Sequence, residues 1–142
     1  MAVVSGSPAP FNPGFELIDG TALNVALARG IGFSSYASGL VAVGTTAPTG
    51  LQLNAVVNKF ATVASGTGAN LPQAIAGATC LVDVRAGANT MAIYSSQTST
   101  TDTIDGTAGT TGTTLTQAHG AALFVCYTAG AWVSYLMGAV SS

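Results

Sequence analysis

Charge is what this sequence has least of: 3 basic and 5 acidic side chains in 142 residues, or 6%, against about 25% in ordinary globular domains. A folded monomer of this mass exposes roughly 6,700 Å², so eight charges leave roughly one per 800 Å². Free-floating soluble domains carry several times that density. Gly, Ala, Ser and Thr fill the gap, making up about half the chain. Such a surface suits a subunit covered by its neighbours.

The scarcity of particular residues excludes more. The three bases, Arg29, Lys59 and Arg85, against a net charge of −2 cannot neutralise a run of phosphates or hold the chain on an anionic membrane, so neither direct nucleic-acid binding nor membrane attachment is expected. Two cysteines, Cys80 and Cys126, and one histidine, His119, make neither a zinc cluster nor a disulfide scaffold. Met1–Gly6 has no basic n-region and no apolar stretch of signal-peptide length, which leaves synthesis in the cytoplasm as the expectation. No nucleophile, base and orienting group stand out together, so no catalytic residue, no cofactor, no metal and no enzymatic activity are expected. His119 reads as a turn residue, and Asp102 and Asp105 as turn-capping acids ahead of calcium ligands or a glycosidase pair. Cys80 and Cys126 read as buried free thiols, and Asp83 with Arg85 as a polar pair on one strand face.

What is present is mostly β pattern. Pro8, Pro10 and Pro13 forbid a helix or central strand in residues 1–20 and predict an extended arm, with Phe11, Phe15, Leu17 and Ile18 as its apolar anchors. Thr21–Arg29 fits a short helix or a strand, and residues 33–44 contain a strand. Further strands are predicted at 51–57, 59–64, 78–85, 90–95, 113–116, 121–128 and 131–137, separated by Gly, Pro, Asn and Ser clusters. Ser65–Asn70 reads as a glycine-rich hairpin turn. Ser95–Thr114, almost all hydroxyls and glycine, reads as a distal tip anchored by Ile104. Ala121–Val140 is twenty uncharged residues long, the length of a membrane helix, but Ala129-Gly130 interrupts it and a hairpin is the better reading. These features predict an all-β fold, an antiparallel β-sandwich or jelly-roll-like domain over residues 21–142 behind the arm. No repeat of 20 to 50 residues is visible, which argues against a solenoid. Phe124, Tyr127, Trp132 and Tyr135 are the expected core or subunit-interface aromatics.

Several of these elements occur in a recognisable order. Residues 51–137 contain VVNKFATVASGTGANLPQAIAG with Leu71-Pro72 and Ala76-Gly77, LVDVRAGANTMAIY with Gly87-Ala88-Asn89 and Tyr94, DTIDG with Asp102, Ile104 and Gly106, and AALFVCYTAGAW with Phe124, Val125, Cys126, Gly130 and Trp132. This order resembles a small β-domain recurring in virion proteins of tailed bacteriophages. It departs from that pattern after Tyr94, where Ser95-Ser96-Gln97 and a longer Thr-rich stretch follow. The resemblance implies a homotrimeric structural component. A chain of this length suits a decoration (cement) protein on the outer surface of the phage head, binding the major capsid protein through the arm residues Phe11, Phe15, Leu17 and Ile18. The alternative it implies is a receptor- or carbohydrate-binding domain of a tail or head fibre.

Overall fold

A computed structural model describes residues 35–86, 89–116 and 120–138 of the chain. The described residues belong to one compact unit beginning at Ser35. The arm anchors Phe11, Phe15, Leu17 and Ile18, the Thr21–Arg29 stretch, the boundary expected near residue 20 and the turn histidine His119 lie outside the described residues.

The fold is all-β. Its strands among the described residues are β1 (Tyr36–Val41), β2 (Leu51–Gln52), β3 (Val57–Thr62), β4 (Gly68–Asn70), β5 (Thr79–Asp83), β6 (Met91–Tyr94), β7 (Thr103–Ile104), β8 (Thr107–Ala108), β9 (Thr113–Leu115), β10 (Ala121–Thr128) and β11 (Ala131–Met137). They form a seven-stranded sheet in the order β1-β3-β5-β10-β11-β7-β8 and a four-stranded sheet in the order β9-β6-β4-β2. A 3-10 turn, Ala47–Thr49, with Pro48 in its first positions, leads into β2.

The first six strands alternate between the two sheets, and each of the first four pairs in parallel with the strand one winding later. Tyr36 stands beside Val57 and Val57 beside Leu81 in one sheet; Leu51 stands beside Ala69 and Ala69 beside Ile93 in the other. A winding is therefore 18 to 24 residues long, and the arrangement is solenoid-like. This corrects two expectations. Antiparallel pairing holds for β5-β10-β11, β6-β9 and β7-β8, but β1-β3, β3-β5, β2-β4, β4-β6 and β7-β11 pair in parallel. The windings do amount to a structural repeat, one carried by alternating faces rather than by recurring residues.

Local chemistry explains where the strands break. The predicted strand 51–57 stops after Gln52, where the Leu53 amide turns to the Asn70 carbonyl and Asn58 Nδ2 donates to the Ala55 carbonyl at 2.7 Å, folding residues 53–56 into a corner. Ser65–Asn70 is not a hairpin turn: it carries the chain from one sheet to the other, and its last three residues are β4. Gly68 is required there, because a Cβ would lie 2.7 Å from both the Ala92 carbonyl oxygen and the Tyr94 ring. On β1 the register against β3 shifts twice around Gly39, whose φ of 71° is a left-handed conformation suited to glycine.

One apolar core takes side chains from both sheets. Phe60, Cys80, Val82, Ile104, Ala122, Phe124, Cys126 and Trp132 enter from the seven-stranded sheet, and Ala69, Met91, Ile93 and Leu115 from the four-stranded sheet. Cys80, Val82 and Val84 share the inward face of their segment, as the alternation predicts. Ser95–Thr114 is less peripheral than expected. Ile104 is its buried anchor, but Ser95, Ser96 and Asp102 are buried too, and β7 is zipped to β11. Asn70, wholly buried, donates to the Ser95 carbonyl at 2.6 Å and ties that segment to β4.

Cys80 and Cys126 are free and buried, on the adjoining strands β5 and β10. Burial pushes the Cys80 thiol up to about 12, against a smaller opposing effect of the Asn58 hydrogen bond. Thiolate is the reactive form, so Cys80 will resist iodoacetamide at pH 8 in the folded protein and react fully in guanidinium, as mass spectrometry of the alkylated chain can show. Replacing Gly68 with Ala overpacks the crossover against Ala92 and Tyr94, and a chemical-denaturation curve will show a loss of about 1–3 kcal/mol.

Candidate interaction surface

The inward side chains of the seven-stranded sheet build the core, and the outward ones should be polar if that face meets water. They are not. The strand registers place Tyr36 beside Val57, Val57 beside Leu81, Leu81 beside Leu123 and Leu123 beside Tyr135, a continuous apolar row across β1, β3, β5, β10 and β11. Val125 and Val133 pair beside it on the same face. The inner members of the row are half-buried by their neighbours, whereas Tyr36 is 62% exposed and Tyr135 47% exposed.

The four aromatics singled out from the sequence divide between the two faces. Phe124 and Trp132 are core residues, each about 1% exposed. Tyr127 and Tyr135 belong to the outer face, and their hydroxyls meet at 3.0 Å. Tyr135 lies level with Leu123, four residues from Tyr127, a separation of roughly 13 Å along the sheet. Hydroxyls can touch over that span only if both rings lean toward each other along the face. The hydrogen bond raises the Tyr135 phenol above the ordinary tyrosine range.

Next to the row lies a line of Ser38, Lys59, Asp83, Ala121 and Met137, in matching register. Asp83 accepts from Arg85 Nε at 3.0 Å and Nη2 at 2.6 Å, the only ion pair among the described residues, which agrees with the polar pair read from the sequence. The Arg85 hydrogen bonds hold the Asp83 carboxyl below its ordinary range, with the nearby Lys59 charge adding in the same direction. Both basic side chains within the described residues therefore stand at one end of the apolar face.

The other suggestive acids do not converge on a site. Asp105, in a left-handed turn conformation with φ 51°, accepts from the Ser134 amide at 2.8 Å and the Ser134 hydroxyl at 2.7 Å, fastening the β7–β8 turn to β11. Asp102 does not act as the expected capping acid: its backbone amide donates to Ser99 Oγ at 3.1 Å and its carbonyl accepts from Gly109, while its carboxylate Oδ2 is buried without a hydrogen-bond partner. Among the described residues, no three His, Cys, Asp or Glu side chains gather as a metal site would require. An open cleft of about 280 Å³ is lined by Ser65, Thr67, Asn89, Thr90 and Thr114 and carries no charge. No helix among the described residues is long and apolar enough to cross a membrane; Ala121–Met137 forms the β10–β11 hairpin instead.

The outer row was only partly visible in the sequence. The run ALFVCY shows apolar residues on both faces of one strand, but Tyr36, Val57 and Leu81 join it through parallel neighbours scattered over 87 positions from Tyr36 to Leu123. No family model, no curated protein and no solved structure matches this chain.

The Asp83–Arg85 pair makes stability pH-dependent. A carboxyl lowered in the folded state stabilises above the unfolded value of about 3.9 and loses that contribution as pH falls through the folded value. Because Arg85 is more than half exposed, Arg85→Met should lower the urea midpoint only slightly at pH 7. The difference between variant and parent should vanish in acid, once Asp83 is protonated in both states, when urea midpoints are compared across pH.

Proposed function

We propose that this protein is a bacteriophage decoration (cement) protein, a structural rather than catalytic component that binds the outside of the head shell and stabilises it by bridging capsomers. The observation that carries this reading is the apolar outer face: five strands present Tyr, Val and Leu where a solitary domain presents charge. A chain with 6% charged residues and such a face is built to be covered. The ordered resemblance over residues 51–137 gives the covering its context, with the major capsid protein as partner, a homotrimer as the assembled unit and the virion surface as the location.

The mechanism is additive burial. Each Å² of apolar contact contributes about 25 cal/mol, so modest contacts per copy become strong when copies are linked and repeated over a lattice. In this reading the arm residues Phe11, Phe15, Leu17 and Ile18 make the shell contact, leaving the β-domain as a rigid plate above it. The buried register of β3, β5, β10 and β11 suits that role, because a plate that transmits load between capsomers must not shear.

A fibre domain that binds a neutral glycan is the second reading, favoured by the uncharged hydroxyl- and amide-lined cleft at Ser65, Thr67, Asn89, Thr90 and Thr114. Deletion of residues 1–19 separates the two. Co-sedimentation with emptied phage heads should be lost on deletion while circular dichroism of the β-domain is unchanged; heads that still bind the truncated protein would sink the arm's role.

A further inference from the structure

The β7–β8 hairpin turns on two residues, Asp105 and Gly106, because Ile104 pairs with Thr107 across it. Both have left-handed backbones, with φ of 51° and 80°, as the tight two-residue turns that suit antiparallel strands require. Asp105 is the only residue other than glycine with a positive φ among the described residues, and a side chain with a Cβ is disfavoured there. Aspartate followed by glycine is also a peptide unit open to attack by its own backbone. With no side chain on the glycine, its amide nitrogen approaches the carboxyl carbon unhindered. Here both residues are exposed and the space beside Gly106 is open. The sequence holds one other such pair, Asp19-Gly20, and no Asn-Gly.

Each carboxylate oxygen of Asp105 is already held. Oδ1 accepts from the Ser134 amide at 2.8 Å and Oδ2 from the Ser134 hydroxyl at 2.7 Å. The competing reaction joins the Gly106 nitrogen to Asp105 Cγ. One carboxyl oxygen leaves as water, taking the amide proton and the carboxyl proton, and a five-membered succinimide ring closes. Water then adds to one of the two ring carbonyls and breaks its bond to nitrogen. Opening at Cγ restores aspartate; opening at the backbone carbonyl leaves the chain running through Cγ, as isoaspartate. Nothing is oxidised or reduced, and the mass is unchanged. Whichever oxygen leaves, one of the two Ser134 hydrogen bonds goes with it, so ring closure competes directly with the fastening to β11. We propose that Asp105-Gly106 is a site of spontaneous isoaspartate formation held in check by Ser134, and that its conversion unfastens β7 and β8 from β11.

The consequence follows from the turn's size. Isoaspartate adds one carbon to the main chain and shortens the stalk of the carboxylate. A two-residue loop has no slack for the extra backbone atom while Ile104 stays opposite Thr107. What then holds β7 to β11 is the pair of backbone bonds from Thr103 to the Gly130 carbonyl and from Asp105 to the Trp132 carbonyl, each 2.9 Å long, and the second comes from the altered residue itself. Among the described residues β8 is the end strand of its sheet, with β7 as its neighbour, so the two loosen together while β5, β10 and β11 keep their pairing. The inference goes beyond the shell-binding reading and does not depend on it.

Peptide mapping with electron-transfer fragmentation, which tells isoaspartate from aspartate, tests this on the full chain kept for weeks at neutral pH, folded and in guanidinium. In the folded parent, Asp105 should convert roughly tenfold more slowly than in guanidinium, where neither Ser134 bond survives. Ser134→Ala should raise the folded rate about fivefold, the worth of one such hydrogen bond. Ser134→Thr, which keeps the hydroxyl, should hold the parent's rate, and all three chains should convert alike in guanidinium. Peptides with isoaspartate elute apart from the unconverted ones, so hydrogen exchange can be read on each; the Thr103 amide should exchange faster in converted molecules. The near-UV dichroism of the buried Trp132 reports whether each variant is folded. Should Ser134→Ala lose it, Ser134→Val against Ser134→Thr, alike in shape and different in the hydroxyl, carries the same test. A folded variant without the hydroxyl that converts at the parent's rate would overturn the check, as would a folded parent converting as fast as in guanidinium. Unchanged Thr103 exchange after conversion would overturn the unfastening.

Discussion

The register of β3, β5 and β10 is the constraint on which the rest of the molecule depends. Side chains alternate strictly along a strand, so one choice of pairing decides the contents of both faces at once. With Asn58 beside Val82 and Val82 beside Ala122, Phe60, Cys80 and Phe124 go inward to Trp132 and Met91. The same choice sends Val57, Leu81 and Leu123 outward. A slip of one residue would put Lys59 and Asp83 into the core, a cost no other contact could offset. The apolar outer face is therefore specified as firmly as the core is.

Fold class and most strands were legible from the sequence because alternation and turn residues are local signals. CLVDVR declares its inward and outward sides without help, and AALFVCYTAGAWVSYLM declares its hairpin through Ala129-Gly130. The parallel windings were hidden for a physical reason. A winding need only return an apolar residue to the same face, and Phe60 can be followed by Val82 as well as by another Phe. Windings of unequal length, with corners made by Asn58 in one place and by Gly68 in another, leave no repeat to read. β4 was missed because GAN is poor strand sequence: it is held in the sheet by neighbours on both sides and by Asn70, not by propensity. Of the candidate site, the outward tyrosines were legible and the row between them was not, since Tyr36, Val57 and Leu81 become neighbours only through the windings.

The shortage of charge also takes on a sharper meaning. Within the described residues three of the ionic side chains are spent on fastening: Asp105 holds Ser134 to the β7–β8 turn, and Arg85 clasps Asp83. Apart from the apolar outer face, much of the surface is left to Thr, Ser and Gly, which hydrate without imposing a field. Such a molecule is indifferent to long-range electrostatic attraction and repulsion, so copies can crowd together on a surface without mutual repulsion.

The double register shift at Gly39 bears on how far such crowding can go. Among the described residues β1 is the outer strand of its sheet, and a straight edge of that kind would accept another strand readily. The kink interrupts the regular ladder along β1, where the register shifts twice within four residues. An added strand would have to match an irregular edge, so chance edge-to-edge pairing at β1 is a poor fit.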